Sequence, residues 1–509
     1  MNVFNLAHSA EVNSKKNHPK RTIADVCDSL KNADIKNVNV ISVENVLAGA
    51  FEFPVNSDRP GPMKGDFLFA PFNWTGKFKK GTNPNFCRVK ISLTPSVDSN
   101  ILMEVWLPEN WNGKFLGVGS FGWGGSIMYN GLMSGLQEGY AVANSDTGHQ
   151  DGNDGAFSLG HPEKMIDYGY RAAHEMTVTS KKMIKMYYGK LPKYSYWAGC
   201  SLGGLEGLIE AKRYPKDYNG YVIGAPPNPI VHFNGMQIYS SWLLNQNANL
   251  KMNRDKMNIV HNAVLDKCAS EIGKSQGFVD KPETCDFDPS VLICKNGETE
   301  NCLSVDEVDF VKKAFRGPVN SLGEIIFPGP AYGTENDINT NLEPMSVASG
   351  MFKYFAFQDS NWDFKKINWD TDITKADNLV GNLLHVKPEE LKPFLKKGGK
   401  ILFYLGWNDS HNPTDLLNFT SQLGFNEQIR TFLIPGMGHC ASGNGCDTFD
   451  KLSSLDNWIS KKISPEKIIS YKVENESPIR SRPICAYPKK AVYKGVGDIS
   501  TESSFECVK

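Results

Sequence analysis

The stretch Tyr194–Gly204, YSYWAGCSLGG, decides how this chain folds. Tyr194, Ser195, Tyr196, Trp197 and Ala198 suit a buried strand, whereas Leu205–Arg213 (LEGLIEAKR) is rich in helix formers. GCSLG therefore falls on a strand-to-helix turn, the setting of a nucleophile elbow. Gly199 and Gly203 fit a turn in which the strand and helix backbones approach too closely for side chains. Ser201 would then point away from the sheet into a cleft. The amide of Leu202, in the first helical turn, has no intrahelical acceptor and can donate to an oxyanion. A glycine-rich turn with an ordinary serine gives the same five letters, so the rest of the chain has to decide.

Chain order decides it. An α/β-hydrolase places its acid and then its histidine on loops after later strands. Lys400–Gly406 (KILFYLG) is an apolar strand that runs into Trp407, Asn408 and Asp409, and Thr431–Pro435 (TFLIP) is another, followed by Gly436, Met437, Gly438 and His439. A serine hydroxyl is a poor nucleophile until an imidazole takes its proton, and the imidazole needs a carboxylate to fix its tautomer. Ser201, Asp409 and His439 are the candidates. Asp415 is a rival acid, but it follows Pro413 and Thr414 in what reads as a first helical turn, where a carboxylate is ordinary. His174 lies in an amphipathic helical stretch and reads as a packed residue. His149 follows the strand-like YAVANSD and reads as structural, or as orienting a loop near the site, and His411 is a candidate substrate contact.

Eleven cysteines occur with no CxxC pair, which argues against a zinc ribbon or a thioredoxin-like site. Cys200 precedes Ser201 and Cys440 follows His439. If Ser201 and His439 share a hydrogen bond, their neighbours lie about one Cα step of ~3.8 Å to the side, within disulfide reach. The alternative is a pair of buried thiols.

The chain resembles the tannase and feruloyl esterase family, which also includes mono(2-hydroxyethyl) terephthalate hydrolase. The likeness rests on WNGKFLGVGSFGWGG (Trp111–Gly125), SDTGH (Ser145–His149), YGYRAAHEMT (Tyr168–Thr177), GCSLGGLEGLIEAKRYPKDYNGYVIGAPP (Gly199–Pro227), PGMGHC (Pro435–Cys440) and RPICAYPKKAVYKGVGD (Arg482–Asp498). It implies Ser201 as nucleophile, Asp409 as acid, His439 as base, and an oxyanion held by the amides of Gly122 and Leu202. It also implies the disulfides Cys27–Cys87, Cys200–Cys440, Cys268–Cys285, Cys294–Cys302 and Cys485–Cys507. Cys446 is left over, as a free thiol or an intermolecular link. The family's calcium loop has a counterpart after Cys268, but Ala269, Ile272 and Gln276 stand where liganding carboxylates are expected. Calcium needs about six to eight hard oxygens, so no metal is expected here, nor any other cofactor.

Composition bounds the rest. A 40% hydrophobic fraction over 509 residues supplies a large core, and a net charge of −1 gives no long-range attraction for nucleic acid or an anionic membrane. No stretch of about 18 apolar residues is present to span a membrane. Alternating strand and helix runs from about Ile101 to Ala225, resuming at about Lys400 and continuing through Ile468–Val473, imply an α/β-hydrolase fold with a mostly parallel sheet and helices on both faces. Residues 1–225 and 394–509 are expected to form that catalytic domain, and 226–393 an inserted lid rich in cysteine, Asn, Asp and aromatic clusters such as Met351–Phe357 (MFKYFAF). Met1–Arg21 lacks the apolar run of a signal peptide, yet five bridges need an oxidising compartment. The expectation is a secreted or periplasmic enzyme whose leader is removed, acting on aromatic esters of hydroxycinnamoyl, feruloyl-like or galloyl-like type, free or attached to plant polysaccharide or polyphenol. An acyltransferase on the same three residues, or a binding protein derived from a hydrolase, are the alternatives.

Overall fold

The computed structural model of the protein describes residues 23–54, 73–77, 81–150, 154–295, 297, 300–424 and 427–509. Met1–Arg21, and with it the reading of a missing signal segment, lies outside them. Nine strands form one sheet: β1 (Val38–Val46), β2 (Phe86–Leu93), β3 (Ile101–Pro108), β4 (Lys114–Val118), β5 (Ala141–Ser145), β6 (Tyr194–Cys200), β7 (Gly220–Gly224), β8 (Lys400–Gly406) and β9 (Ile429–Ile434), in the order 1-2-3-5-4-6-7-8-9. β1, β2, β3 and β5 pair antiparallel, and every pairing from β5 through β4, β6, β7 and β8 to β9 is parallel. β5 and β7 are buried at every position, and β6 and β8 at all but the first. That is why these segments read as continuous apolar runs, since a parallel sheet is covered on both faces. Helices Ala172–Tyr188 and Leu202–Arg213 pack against it, so the fold is that of an α/β-hydrolase.

One expectation fails. Ile468–Val473 does not extend the parallel sheet but lies in β11 (Lys467–Glu474), central in a three-stranded antiparallel sheet with β10 (Thr448–Phe449) and β12 (Ser477–Cys485). Glu474 pairs with Ser477, leaving a two-residue loop in which Asn475 and Glu476 both have positive φ, 47° and 59°. That conformation matches the right-handed twist of a hairpin, and it brings the chain straight back antiparallel. Asn-Glu lacks the glycine that announces such a turn. β13 (Lys490–Tyr493) and β14 (Phe505–Val508) form a further antiparallel pair.

Between β7 and β8 the chain makes an insertion of helices and irregular segments. Helices Ile230–Gln246, Arg254–Cys268 and Val305–Arg316 enclose a separate core around Met257, Val260, Leu303 and Phe310. The rest of the insertion joins the main core through Phe352, Phe355, Ile373 and Phe394. The Met351–Phe357 cluster is therefore largely core: Phe355 packs 5.6 Å from Trp123, and Phe352 stacks on Trp362 at 5.2 Å. All five disulfides form with the pairing given above. Cys446 is a buried free thiol. The stretch after Cys268 holds the short helix Glu271–Gln276, capped by Ser270, and Gln276 accepts a hydrogen bond from Arg482 at 3.1 Å.

Candidate active site

Ser201 follows β6 and caps helix Leu202–Arg213 with φ 60° and ψ −125°. A non-glycine residue is strained there, and surrounding contacts have to hold it. They do: the Ser201 amide donates to Gly224 O at 3.0 Å, and Ser201 O accepts from Gly204 and Leu205. The turn closes because glycines meet. A Cβ on Gly199 would strike the carbonyl of Gly203, and one on Gly119 would lie 2.5 Å from Gly203 Cα. This contact also docks the glycine-rich loop after β4, since Gly203 N donates to Ser120 O at 2.9 Å and Ser120 N to Glu206 Oε2 at 2.7 Å. The Leu202 amide, at the helix start, and Gly122, at φ 62° with open space at its Cβ position, thus lie on two backbone segments fastened together.

Asp409 follows β8 and is fully buried, while His439, on the loop after β9, keeps 30% of its side chain exposed. Nδ1 of His439 lies 2.9 Å from Asp409 Oδ2 and 3.1 Å from Oδ1. An ionised carboxylate only accepts, so Nδ1 carries the proton and Nε2 is left as the acceptor. Burial works against ionising Asp409, but the two histidines and the hydrogen bonds outweigh it and hold the carboxyl below its usual range. Burial likewise disfavours a charged His439, yet Asp409 raises its pKa above the ordinary imidazole value. The Cys200–Cys440 disulfide spans 5.9 Å between Cα atoms, and Cys440 Sγ lies 3.6 Å from His439 Nε2. Phe121, beside Gly122, packs its ring 5.7 Å from that of His439. The segments carrying Ser201, Asp409, His439, Gly122 and Leu202 are thereby tied to one end of the sheet.

The competing residues fall elsewhere or into support. Asp415 sits in the first turn of helix Pro413–Leu423, with burial pushing its pKa to about 7. His149 is buried and stacked on Phe157 at 3.5 Å, a structural place. His174 stacks on Tyr214 and bonds Asp217 at 2.8 Å. His411 packs 4.0 Å from the His439 ring and bonds Ala225 O at 2.9 Å, with burial and His439 lowering its pKa to about 3.

Two residues escaped the sequence reading. Glu206, fully packed and pushed to about 8 by burial, holds the glycine loop through Ser120; it falls on the same helix face as Leu202, Leu205 and Ile209, a polar residue on an apolar stripe, which was its available signal. Asp337, in the insertion, acts electrostatically on both Asp409 and His439, with burial and Asp409 raising its pKa to about 6. Nothing local in TENDI marks it. Among the described residues, two groups bring three His or carboxylate ligand atoms within 4.8 Å of one another: Asp409, His411, His439 and His174, Glu210, Asp217. In the first, the carboxylate and both Nδ1 atoms already have internal partners; in the second, the Lys181 ammonium stands 3.7 Å from Asp217 and opposes a cation.

A strained serine on a strand-to-helix turn, with a buried carboxylate–imidazole pair on the loops after β8 and β9, is the arrangement of an α/β-hydrolase. Comparison with known proteins narrows this. A sequence model described as tannase and feruloyl esterase matches residues 87–508. An uncharacterised esterase of Xanthomonas campestris is 30% identical, with 84% of each chain covered, and a probable feruloyl esterase B-2 of Neosartorya fischeri is 29% identical over 83% of this chain and 86% of its own. The crystal structure of feruloyl esterase B from Aspergillus oryzae superposes with a TM-score of 0.84 at 26% identity, covering 96% of this chain and all of that one. The tannin acyl hydrolase of Aspergillus niger shares the fold, with a TM-score of 0.75 at 19% identity over 96% of both chains. The chain belongs to the tannase and feruloyl esterase family and is a carboxylic ester hydrolase.

Proposed function

We propose that the protein hydrolyses aromatic carboxylic esters through an acyl-enzyme on Ser201. The observation that carries this is the 2.9 Å His439–Asp409 pair, bolted by the Cys200–Cys440 disulfide to the turn that presents Ser201. His439 takes the serine proton as Oγ attacks the ester carbonyl, and the oxyanion is met by the amides of Leu202 and Gly122. The imidazolium, stabilised by Asp409, then protonates the departing alcohol. Water enters, gives its proton to His439 and releases the acid.

Hydroxycinnamoyl or galloyl-like esters fit the names carried by the relatives, and a plant polysaccharide or polyphenol is the expected carrier of such groups. The insertion supplies the wall over Asp409 and His439, with Asp337 on it. Five disulfides favour an oxidising compartment, outside the cell or in a periplasm. No described helix is long and apolar enough to cross a membrane. Ala269, Ile272 and Gln276 offer no carboxylate, so the proposal places no calcium in that loop.

Ser201→Ala tests the proposal. Methyl ferulate turnover should fall to background with the melting temperature kept, and retained turnover would remove Ser201 from the mechanism. Product analysis in the presence of an added acceptor alcohol should give mainly free acid; predominant ester exchange would instead favour acyl transfer.

A further inference from the structure

A cavity of about 390 Å³ opens between helix Glu271–Gln276 of the insertion and strands β12, β13 and β14. That volume is in the range of small-molecule sites. None of Ser201, Asp409 and His439 lines it. Its walls are apolar and aromatic, with Ile272, Phe278, Trp407 and Phe505 among them, and Arg480 and Arg482 reach into the same space.

The charges around this cavity do not cancel locally. Glu283 pairs with Lys490, Glu271 lies 3.3 Å from Lys274, Asp280 accepts from Ser270, and Lys489 lies 3.3 Å from Glu466. Glu283 and Glu271 are thus beside lysines, and Asp280 is held by Ser270. The two guanidinium groups are different: among the described residues neither forms an ion pair. Arg482 donates to Gln276 Oε1 and to Ser481 O, both at 3.1 Å, and its guanidinium lies 3.8 Å from the Phe505 ring centre. Burial lowers its pKa to about 10, the neighbouring Arg480 adds to this, and Cys446, Asp280 and Asp498 oppose it only from a distance. Arg480 donates to Asn444 O and faces the Cys446 thiol, while its Nε is buried with no hydrogen-bond partner among the described residues. A partly buried guanidinium without a carboxylate is costly unless an anion completes it, and its planar fork matches a carboxylate.

We propose that this cavity is a second binding site, distinct from the Ser201 cleft, for a planar aromatic carboxylate whose carboxyl group meets Arg482 and Arg480 and whose ring lies among the aromatic walls. The ligand chemistry is read from the cavity alone. That such an acid is also what the enzyme releases rests on the proposed function. Trp407 follows β8 directly and Leu433 and Ile434 end β9, all three line the cavity, and the loops after these strands carry Asp409 and His439. An occupant therefore touches the two segments that position the acid and the base.

Titration calorimetry of ferulate into the full chain tests this, using Arg482→Gln and Ile272→Trp, which respectively remove the fork and fill the cavity from the insertion side. Wild type should bind at this site in a manner that methyl ferulate does not displace. Both variants should weaken that binding by about tenfold or more while keeping wild-type melting and methyl ferulate turnover. If the Ser201 reading alone is wrong, the total stoichiometry changes but the variant-sensitive site remains. Wild-type affinity in both variants, or displacement by an equal concentration of acetate, would overturn the proposal.

Discussion

The end of the sheet that carries Ser201, Asp409 and His439, and the insertion between β7 and β8, are built by opposite means. At the sheet end, short apolar strands set each loop, and three glycines, one disulfide and one buried carboxyl then fasten the loops to each other. In the insertion, helices far apart in sequence share a separate core, and its bridges Cys268–Cys285 and Cys294–Cys302 close loops of only 17 and 8 residues separation. Cys200–Cys440 spans 240 residues and joins two functional loops. The difference teaches that cross-linking at the site fixes geometry, whereas cross-linking in the insertion fixes local folding.

Removing charge from the pair at the sheet end should have the largest effect. Asp409→Asn should lower kcat by about 10³–10⁴-fold through loss of the correct tautomer. It should also move the acid limb of the kcat/KM profile. In the proposed mechanism His439 is a neutral base, so activity falls as pH drops through its pKa; Asp409 holds that pKa above the ordinary value of about 6.5, and without the carboxylate the limb should shift to lower pH. An unshifted limb would mean that another group controls it.

The disulfides sharpen the comparison at the next level. Cys200→Ala with Cys440→Ala should cost on the order of 10²-fold in kcat, the scale of a displacement of about 1 Å between reacting groups. Cys294→Ser with Cys302→Ser should lower the melting temperature while leaving kcat within about twofold, because removing a native bridge costs stability and this one touches no functional loop. Equal losses of kcat in the two double variants would erase the distinction.

The smallest effect concerns Glu206. Its pKa is raised by burial to about 8 in the folded protein and is ordinary in the unfolded chain. Its contribution to stability is therefore complete at pH values below the usual carboxyl range and is lost as pH rises through about 8. Glu206→Gln keeps a partner for the Ser120 amide and should flatten the fall in stability over that window by about one proton's worth, measured by denaturant unfolding against pH. An unchanged slope would assign the dependence to other buried carboxyls such as Glu210.

The same contrast explains what the sequence disclosed. Tyr194–Cys200, Lys400–Gly406 and Ile429–Ile434 were legible because a strand buried on both faces is an apolar run of five to eight residues bounded by glycine or proline. Ser201, Asp409 and His439 follow from their places after those strands. Glu206 was partly legible, as a carboxyl on an apolar helix face. Asp337 and the packing of His411 on His439 were not, because each depends on a contact across the fold that leaves no local pattern. The Glu474–Ser477 hairpin was misread for a different reason: Asn475 and Glu476 adopt positive φ without a glycine to signal it. The insertion's Met351–Phe357 cluster is legible as aromatic but not as to where it packs: Phe352 and Phe355 are fully buried in the main core.

The central claim is that Ser201 is the nucleophile activated by His439. Its most direct test is labelling with an aryl fluorophosphonate, followed by mass spectrometry of the digested protein. A single adduct should appear on the peptide containing Ser201, with concurrent loss of methyl ferulate turnover, and labelling should be strongly slowed in Asp409→Asn. An adduct on another residue, or full turnover after stoichiometric modification of Ser201, would contradict the account.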